Sequence, residues 1–276
     1  MSATTTFDFN SDAIARAYDD VLVPHLFEPW AEHLVETEGP WDGLRVLDLA
    51  TGTGIVASLV ADRVGPSGKT VAADINASML ALAMKRCGTN ERAVEFVTSP
   101  AHPLDLPTES VDAVLCQQGF QFFPDRGSAA SEMLRVLVPG GRVAVSTWRP
   151  VWECEFFGAI CQALSDIGEG ELCSMMRRPF DFIDGDELAE HFETAGFKNV
   201  AVRLETRTLT LAEGVSQALQ AAYATPIGPA LVALPQSKRN RFGEALTDRL
   251  SRLTLEDGCV AGRMAANVLT GRRGAA

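Results

Sequence analysis

The chain has 276 residues, 46% hydrophobic and 22% charged, enough apolar material for a sizeable buried core. Its 36 acidic and 24 basic residues leave a net charge of −12. That balance argues against a nucleic-acid backbone or an anionic membrane as the main partner, because both require a positive field. Six cysteines (Cys87, Cys116, Cys154, Cys161, Cys173, Cys259) form no C-x-x-C, and four histidines (His25, His33, His102, His191) form no H-x-x-x-H. Neither a zinc site nor a disulfide framework is expected.

The first residues, MSATTTFDFNSDAIARAYDD, lack a basic segment followed by an apolar one. No run approaches the roughly 18 apolar residues of a membrane span. A cytoplasmic protein without a membrane partner is expected. Acidic side chains from Asp8 to Glu38 crowd one end and arginines from Arg249 to Arg273 the other. This reads as solvated faces, with complementarity in a homodimer as the alternative.

In chain order, residues 12–36 carry an amphipathic helical pattern. GLRVLDLA, from Gly43, is a buried strand broken by TGTG, and IVASLVADRV has helical spacing to Val64. KTVAADI is a second strand. NASMLALAMKR follows as a helix with Asn76 or Ser78 as N-cap. AVEFVTS and VDAVLCQQ are the third and fourth strands. SAASEMLRVL is a helix stopped by Pro139-Gly140-Gly141, and RVAVSTW is the fifth strand. Strands alternating with helices imply right-handed crossovers and a mostly parallel, doubly wound, Rossmann-like α/β sheet. Beyond it, WECEFFGAICQALSDI is a helix and GEGELCSMMRRPFDFID a loop-rich stretch. DELAEHFETAGF is a helix closed by Gly196, and KNVAVRLETRTLTL is a long strand. Residues 213–256 are helical with breaks at TPIGP and ALPQ, and CVAGRMAANVLTGR is a last strand. No repeat or linker divides the chain, so a single domain over residues 1–276 is expected.

The turn after the first strand, Asp48-Leu49-Ala50-Thr51-Gly52-Thr53-Gly54, allows positive φ and close ligand approach at the start of a helix. Gly52-x-Gly54-x-x-Ala57 also satisfies the dinucleotide fingerprint, so an NAD-dependent oxidoreductase is one alternative. Asp48 would meet a pyrophosphate with like charge and suits a ligand with a cationic amine. Asp74, ending the second strand, can take both hydroxyls of a ribose.

VLDLATGTG, VAADINASML, LDLPTESVDAVL and LRVLVPGGRVAVSTW resemble, in order and spacing, the class I S-adenosylmethionine-dependent methyltransferases. The branch most similar is that of ubiquinone/menaquinone-type and other small-molecule enzymes. The resemblance spans residues 44–148, and AGFKNV resembles the family's approach to its sixth strand. It implies a seven-stranded sheet with the last strand antiparallel and a helical lid over residues 1–42. A cofactor-binding core over residues 43–150 follows, and then lid insertions near residues 152–182 and 213–256.

Position by position, the resemblance makes Asp48 the acid that organises the turn and meets the methionine amine. Ala50, Gly52 and Gly54 take the family's glycine positions, with Thr51 between them. Asp74 becomes the ribose acid, and Ile75 and Met79 pack on the adenine. Pro100 departs from the pattern, since it cannot supply the usual carboxylate to the adenine amine, while the Ala101 N–H can still reach a ring nitrogen. Gln117 and Gln118 close the fourth strand beside the methionine part, and Tyr18 covers the cofactor from the lid. His102 is read as structural and Gln121 as a polar residue on the acceptor side. Trp148 and Trp152 favour an apolar or aromatic acceptor.

The expected activity is methyl transfer from S-adenosyl-L-methionine, leaving S-adenosyl-L-homocysteine, to O, N or C of a small metabolite, as in secondary metabolism. A non-methylating relative and a macromolecular acceptor are alternatives. No strong acid–base constellation is needed or found; for a phenol or amine acceptor, a histidine, Tyr18 or water could take the proton. No metal is expected, and scattered cysteines argue against arsenic methylation.

Overall fold

The computed structural model describes residues 12–88, 94–181 and 184–275. Asp8, Ser11, Ala93 at the head of the third expected strand, and Phe182 in the first lid insertion lie outside these residues. Strands β1 (Arg45–Leu49), β2 (Lys69–Asp74), β3 (Val94–Thr98), β4 (Val111–Gln117), β5 (Leu137–Trp148), β6 (Lys198–Leu211) and β7 (Val260–Arg272) form one sheet. Its order is β3-β2-β1-β4-β5-β7-β6. The pairs among β1 to β5 are parallel, and β7 is antiparallel to both of its neighbours. The seven-stranded Rossmann-like sheet with an antiparallel last strand is therefore as expected.

Helices α1 (Asp12–Ala17), α2 (Glu28–Thr37), α3 (Ile55–Val64), α4 (Ala77–Cys87) and α5 (Arg126–Val136) accompany the first five strands. Asn76 caps α4, accepting from Ser78 N at 2.9 Å and Met79 N at 3.2 Å. Between α1 and α2 the chain widens into a π-helical stretch, Tyr18–Phe27, that contains Pro24. Proline cannot donate into a regular ladder, so the expected single helix is locally unwound there. Pro139-Gly140-Gly141 lies inside β5 and does not precede it: Val111 pairs with Leu137 and Ala113 already with Arg142, so the three residues bulge out of the ladder.

The rest of the chain adds α6 (Glu155–Asp166), α7 (Gly170–Arg177), α8 (Gly185–Ala195), α9 (Val215–Tyr223), α10 (Gly228–Ala233) and α11 (Gln236–Leu250). Helix α7 corrects the loop expected there. Leu172 and Met176, four residues apart, bury on one face, and that spacing outweighs the glycines around it.

β7 pairs with β5 only from Ala266 onward but with β6 from Val260. The two longest strands therefore run past β5 as a ribbon beyond the end where β4 and β5 stop. On this ribbon a cap core forms from Leu209, Leu211, Met264, Phe156, Ile160, Ala218, Phe242 and Leu246, and lid residues Leu22, Leu26 and Trp30 join it. Separate clusters fill the two faces of the sheet, one under α5 and α8 and one under α2 and α3. No helix among the described residues is long and apolar enough to cross a membrane.

Candidate active site

The carboxyl ends of β1, β2, β4 and β5 converge, the position where open α/β sheets hold ligands. Between β1 and α3 the chain adopts positive φ at Ala50 (59°), Gly52 (57°) and Gly54 (83°). Alanine at the first of these tolerates a conformation that glycine takes without strain. The two glycines differ in what surrounds them. A Cβ on Gly54 would lie 2.8 Å from Ala83 Cβ, so Gly54 lets α4 pack against the turn. A Cβ on Gly52 would meet nothing within 4 Å, so this residue opens onto free space.

Two carboxylates hold the turn. Asp48, 1% exposed, accepts through Oδ2 from Thr51 Oγ1 at 2.5 Å and from Ala57 N at 2.9 Å. Burial pushes its carboxyl up to about 7; these two bonds oppose the shift and the charge of Asp74 adds to it. Asp74 accepts from Gly52 N at 2.8 Å through Oδ2 and from Asn76 N at 2.9 Å through Oδ1. Its pKa is also raised, chiefly by burial. The Ile75 N–H also bonds it, which still leaves acceptor capacity for a hydroxyl donor. Next to it Ile75 is 70% exposed, an apolar side chain with no protein cover at the mouth of the turn. Met79 is buried, Pro100 is exposed and Ala101 is half-buried against the α5 face. His102 is exposed.

The lid crosses this end of the sheet. Gln117 Nε2 donates to Phe27 O at 3.0 Å. Rings line up from the lid to the cap: Tyr18–Phe27 at 4.8 Å, Phe27–Trp148 at 6.3 Å, Trp30–Trp148 at 5.4 Å, Trp148–Phe180 at 6.4 Å and Phe180–Phe157 at 4.9 Å. Trp152 is exposed and stands outside this row. Burial, together with Asp74 and Asp19, raises the Tyr18 phenol well above its ordinary value, while Arg86 lowers it. Tyr18 therefore stays a neutral hydroxyl. Arg86 ties lid to turn: its Nη2 pairs with Asp19, and its Nε donates to Thr53 O at 2.9 Å. Sequence reading missed Arg86, Phe27 and Phe180, since only their distant partners distinguish them from an ordinary helix-end cation and ordinary core aromatics.

Unpartnered polar atoms concentrate at this same end. Gln117 Oε1, both amide atoms of Gln118, Gln121 Nε2, Ser146 Oγ, Thr147 Oγ1 and Thr53 Oγ1 are buried without a hydrogen-bond partner. Each such group costs about 1–3 kcal/mol if nothing satisfies it, and ordered water or a ligand at this end would supply the partners. The residues fit an adenosyl ligand bearing a cationic amine. A backbone cradle opens onto space, a carboxylate with acceptor capacity left stands one strand away, and an exposed apolar side chain lies beside it. No cluster of metal-ligating side chains occurs among the described residues, and the cysteines are free.

Comparison with known proteins agrees. A family model described as the ubiE/COQ5 methyltransferase family matches residues 9–157. A curated ubiquinone/menaquinone biosynthesis C-methyltransferase from Hahella chejuensis is 38% identical over 142 residues, 49% of this chain and 56% of its own. One from Pseudomonas fluorescens is 38% identical over 138 residues, 48% of this chain and 54% of its own. The chain thus spans about half the length of the curated relatives it matches. Among solved structures, a putative methyltransferase from Bacillus halodurans aligns with a TM-score of 0.59 at 19% identity, over 88% of this chain and 98% of that one. The phosphoethanolamine N-methyltransferase 2 of Haemonchus contortus in complex with S-adenosyl-L-methionine aligns with a TM-score of 0.61 at 18% identity, over 99% of this chain and 60% of that one. At these identities the two structures speak for the fold.

Proposed function

The chain belongs to the ubiE/COQ5 methyltransferase family, and from that membership we propose that it transfers a methyl group from S-adenosylmethionine to carbon of a small, apolar or aromatic metabolite. The observation that carries this reading is the meeting of three features at one sheet end: the Asp48–Asp74 turn, the ring row through Trp148, and unpartnered neutral amides. The names of the curated relatives favour carbon over oxygen or nitrogen as the acceptor atom.

Asp48 and Thr51 would keep the turn in the shape that accepts the cofactor, with Ala50, Gly52 and Gly54 giving backbone access. Asp74 would take the ribose hydroxyls, Ile75 would cover one adenine face, and the Ala101 N–H would meet an adenine nitrogen. Pro100 leaves the adenine amine without a carboxylate partner. Gln117 Oε1, unpartnered while Nε2 is held by the lid, would accept from the methionine ammonium. Tyr18 and Phe27 would exclude water from above. When bound, S-adenosylmethionine supplies a methyl group on a sulfonium, whose leaving group is a neutral thioether.

The chain's task is then to hold acceptor and methyl in line, and such positioning is worth roughly 7–11 kcal/mol of barrier. With Tyr18 kept neutral and His102 exposed, an acceptor that already carries its negative charge on oxygen or carbon suits the site best. Calorimetric titration with S-adenosylmethionine, S-adenosylhomocysteine and NADH tests the reading. Binding of both adenosyl ligands and not NADH is expected, weakened at least tenfold in Asp74→Ala. Absence of adenosyl binding would end it.

A further inference from the structure

We propose that the chain binds a small organic carboxylate at a second site, between Arg142 of β5 and Arg272 of β7, at the end of the sheet away from the glycine-rich turn. The site is independent of the cofactor reading. Arg142 lies six residues before Trp148 on β5, roughly 20 Å along the strand at about 3.3 Å per residue.

A cavity of about 190 Å³ opens there, beside the chain that leaves α2. Its floor is apolar: Leu115 and Ala144 are buried in the α2 face of the sheet, and Trp41 of the same cluster joins the lining. Its cations are Arg142 and Arg272, which the antiparallel β5–β7 ladder sets directly opposite each other. Like charges facing across a ladder destabilise it. The sheet is also irregular on both sides of the cavity, between β4 and β5 before Arg142 and between β6 and β7 from Lys198 to Ala201. Asn199, inside the second irregularity, holds φ at 52° and lines the cavity; bulges re-aim side chains in this way.

The acids nearby are already engaged. Glu38 shares the lining but pairs with Arg203 at 2.5 Å. Asp112 accepts from Arg45 N at 2.8 Å and lies 3.6 Å from Arg45 Nε. Among the described residues neither Arg142 nor Arg272 forms an ion pair of its own. Burial and then Arg272 lower the Arg142 pKa, against Glu38 and Asp112, so this guanidinium is short of negative charge.

Arg142 is nonetheless held in place. Its guanidinium carbon stands 4.6 Å from the centre of the Trp41 ring, and its Nη2 donates to Pro40 O. Its Nε is buried and has no partner among the described residues. Arg272 donates through Nη1 to Gly140 O at 3.3 Å, one of the five donors a guanidinium carries. A carboxylate between the two would accept from Arg142 Nε and from the Arg272 fork, replacing a repulsion with charge-assisted hydrogen bonds. The apolar floor suits a ring or short chain behind that carboxylate, which inorganic phosphate lacks.

The test is calorimetric titration of the full chain with benzoate at constant ionic strength and saturating S-adenosylhomocysteine, with benzamide and inorganic phosphate as comparisons. Wild type is expected to bind benzoate about tenfold or more tightly than either. Arg272→Gln, at an exposed position, and Arg142→Lys, which keeps a cation but loses Nε, are each expected to lose about tenfold or more in benzoate affinity. Their S-adenosylhomocysteine affinity is expected to stay within about twofold of wild type, because the two sites share no residue. Without ligand Arg272→Gln is expected to melt no lower than wild type, since it relieves the facing charges, and benzoate is expected to raise the melting temperature of wild type alone. The proposal falls if wild type does not bind benzoate, if benzamide or phosphate binds as tightly, or if either variant keeps wild-type benzoate affinity. Benzoate binding without S-adenosylhomocysteine binding would sustain this site and remove the methyltransferase reading.

Discussion

Asp48 couples the turn to pH. An aspartyl carboxyl titrates near 4 when the chain is unfolded, and burial pushes it up to about 7 in the fold. Between these values the folded protein binds more protons than the unfolded one, so stability falls as pH rises through 7. The contribution is complete below about pH 4 and is lost above the folded value. Thermal melts from pH 5 to pH 8 are expected to show this decline, and Asp48→Asn, which keeps an acceptor for Thr51 and Ala57, is expected to flatten it. A wild-type curve as flat as the variant's would mean that the carboxylate stays ionised in the fold. Asp48 and Asp74 were legible as candidates in the sequence because one stands just before a glycine-rich turn and the other ends the second strand. What their oxygens touch was not: Asp74 reaches back to Gly52 N, 22 residues earlier. Likewise, nothing local in Gln117-Gln118-Gly119 distinguishes the amide that meets the lid from the one left unpaired.

The lid's attachment is a matter of elements. Its π-helical stretch carries Asp19, and α4 carries Arg86 in its last turn. Their ion pair is about three-quarters buried on both sides, so it is screened less than an open surface pair. The same guanidinium bonds Thr53 O, which joins lid, turn and α4 through one side chain. Removing it with Arg86→Met, or neutralising its partner with Asp19→Asn, is expected to speed release of S-adenosylhomocysteine several-fold in stopped flow and to raise hydrogen exchange in residues 18–27. Exchange rates unchanged in both variants would show that apolar packing alone holds the lid. The amphipathic pattern over residues 12–36 announced a helical lid. It did not announce the widened turn at Pro24, nor a partner 67 residues away, because helical periodicity reports which face is buried and not what it meets. Helix α7 shows the same limit from the other side: glycines in GEGELC suggested a loop, while two apolar residues one turn apart decided the outcome.

Across the whole molecule, the lid belongs to two cores at once. Leu22, Leu26 and Trp30 pack into the cap cluster with α6, α9 and α11. Val23, Ala31, Leu34 and Val35 pack into the sheet cluster with β1 and α3. The alternation of strands and helices made the sheet readable to within a few residues per strand. The cap was readable only as a set of helices, because the ribbon that supports them depends on how far β6 and β7 outrun β5. This arrangement has a consequence for binding at a distance. Phe242 of α11 is fully buried in the cap, its ring 6.3 Å from that of Tyr223, and it is in neither the turn nor the ring row. Phe242→Ala is expected to cost about 3–5 kcal/mol of stability and to raise hydrogen exchange in α6, α9 and α11. Since the cap grips one face of the lid, S-adenosylhomocysteine affinity is expected to fall several-fold as well, though α3, β1 and β2 keep their protection. Should exchange rise in the cap while affinity stays at the wild-type value, the lid rests on the sheet cluster alone, and cap and cofactor site are energetically separate.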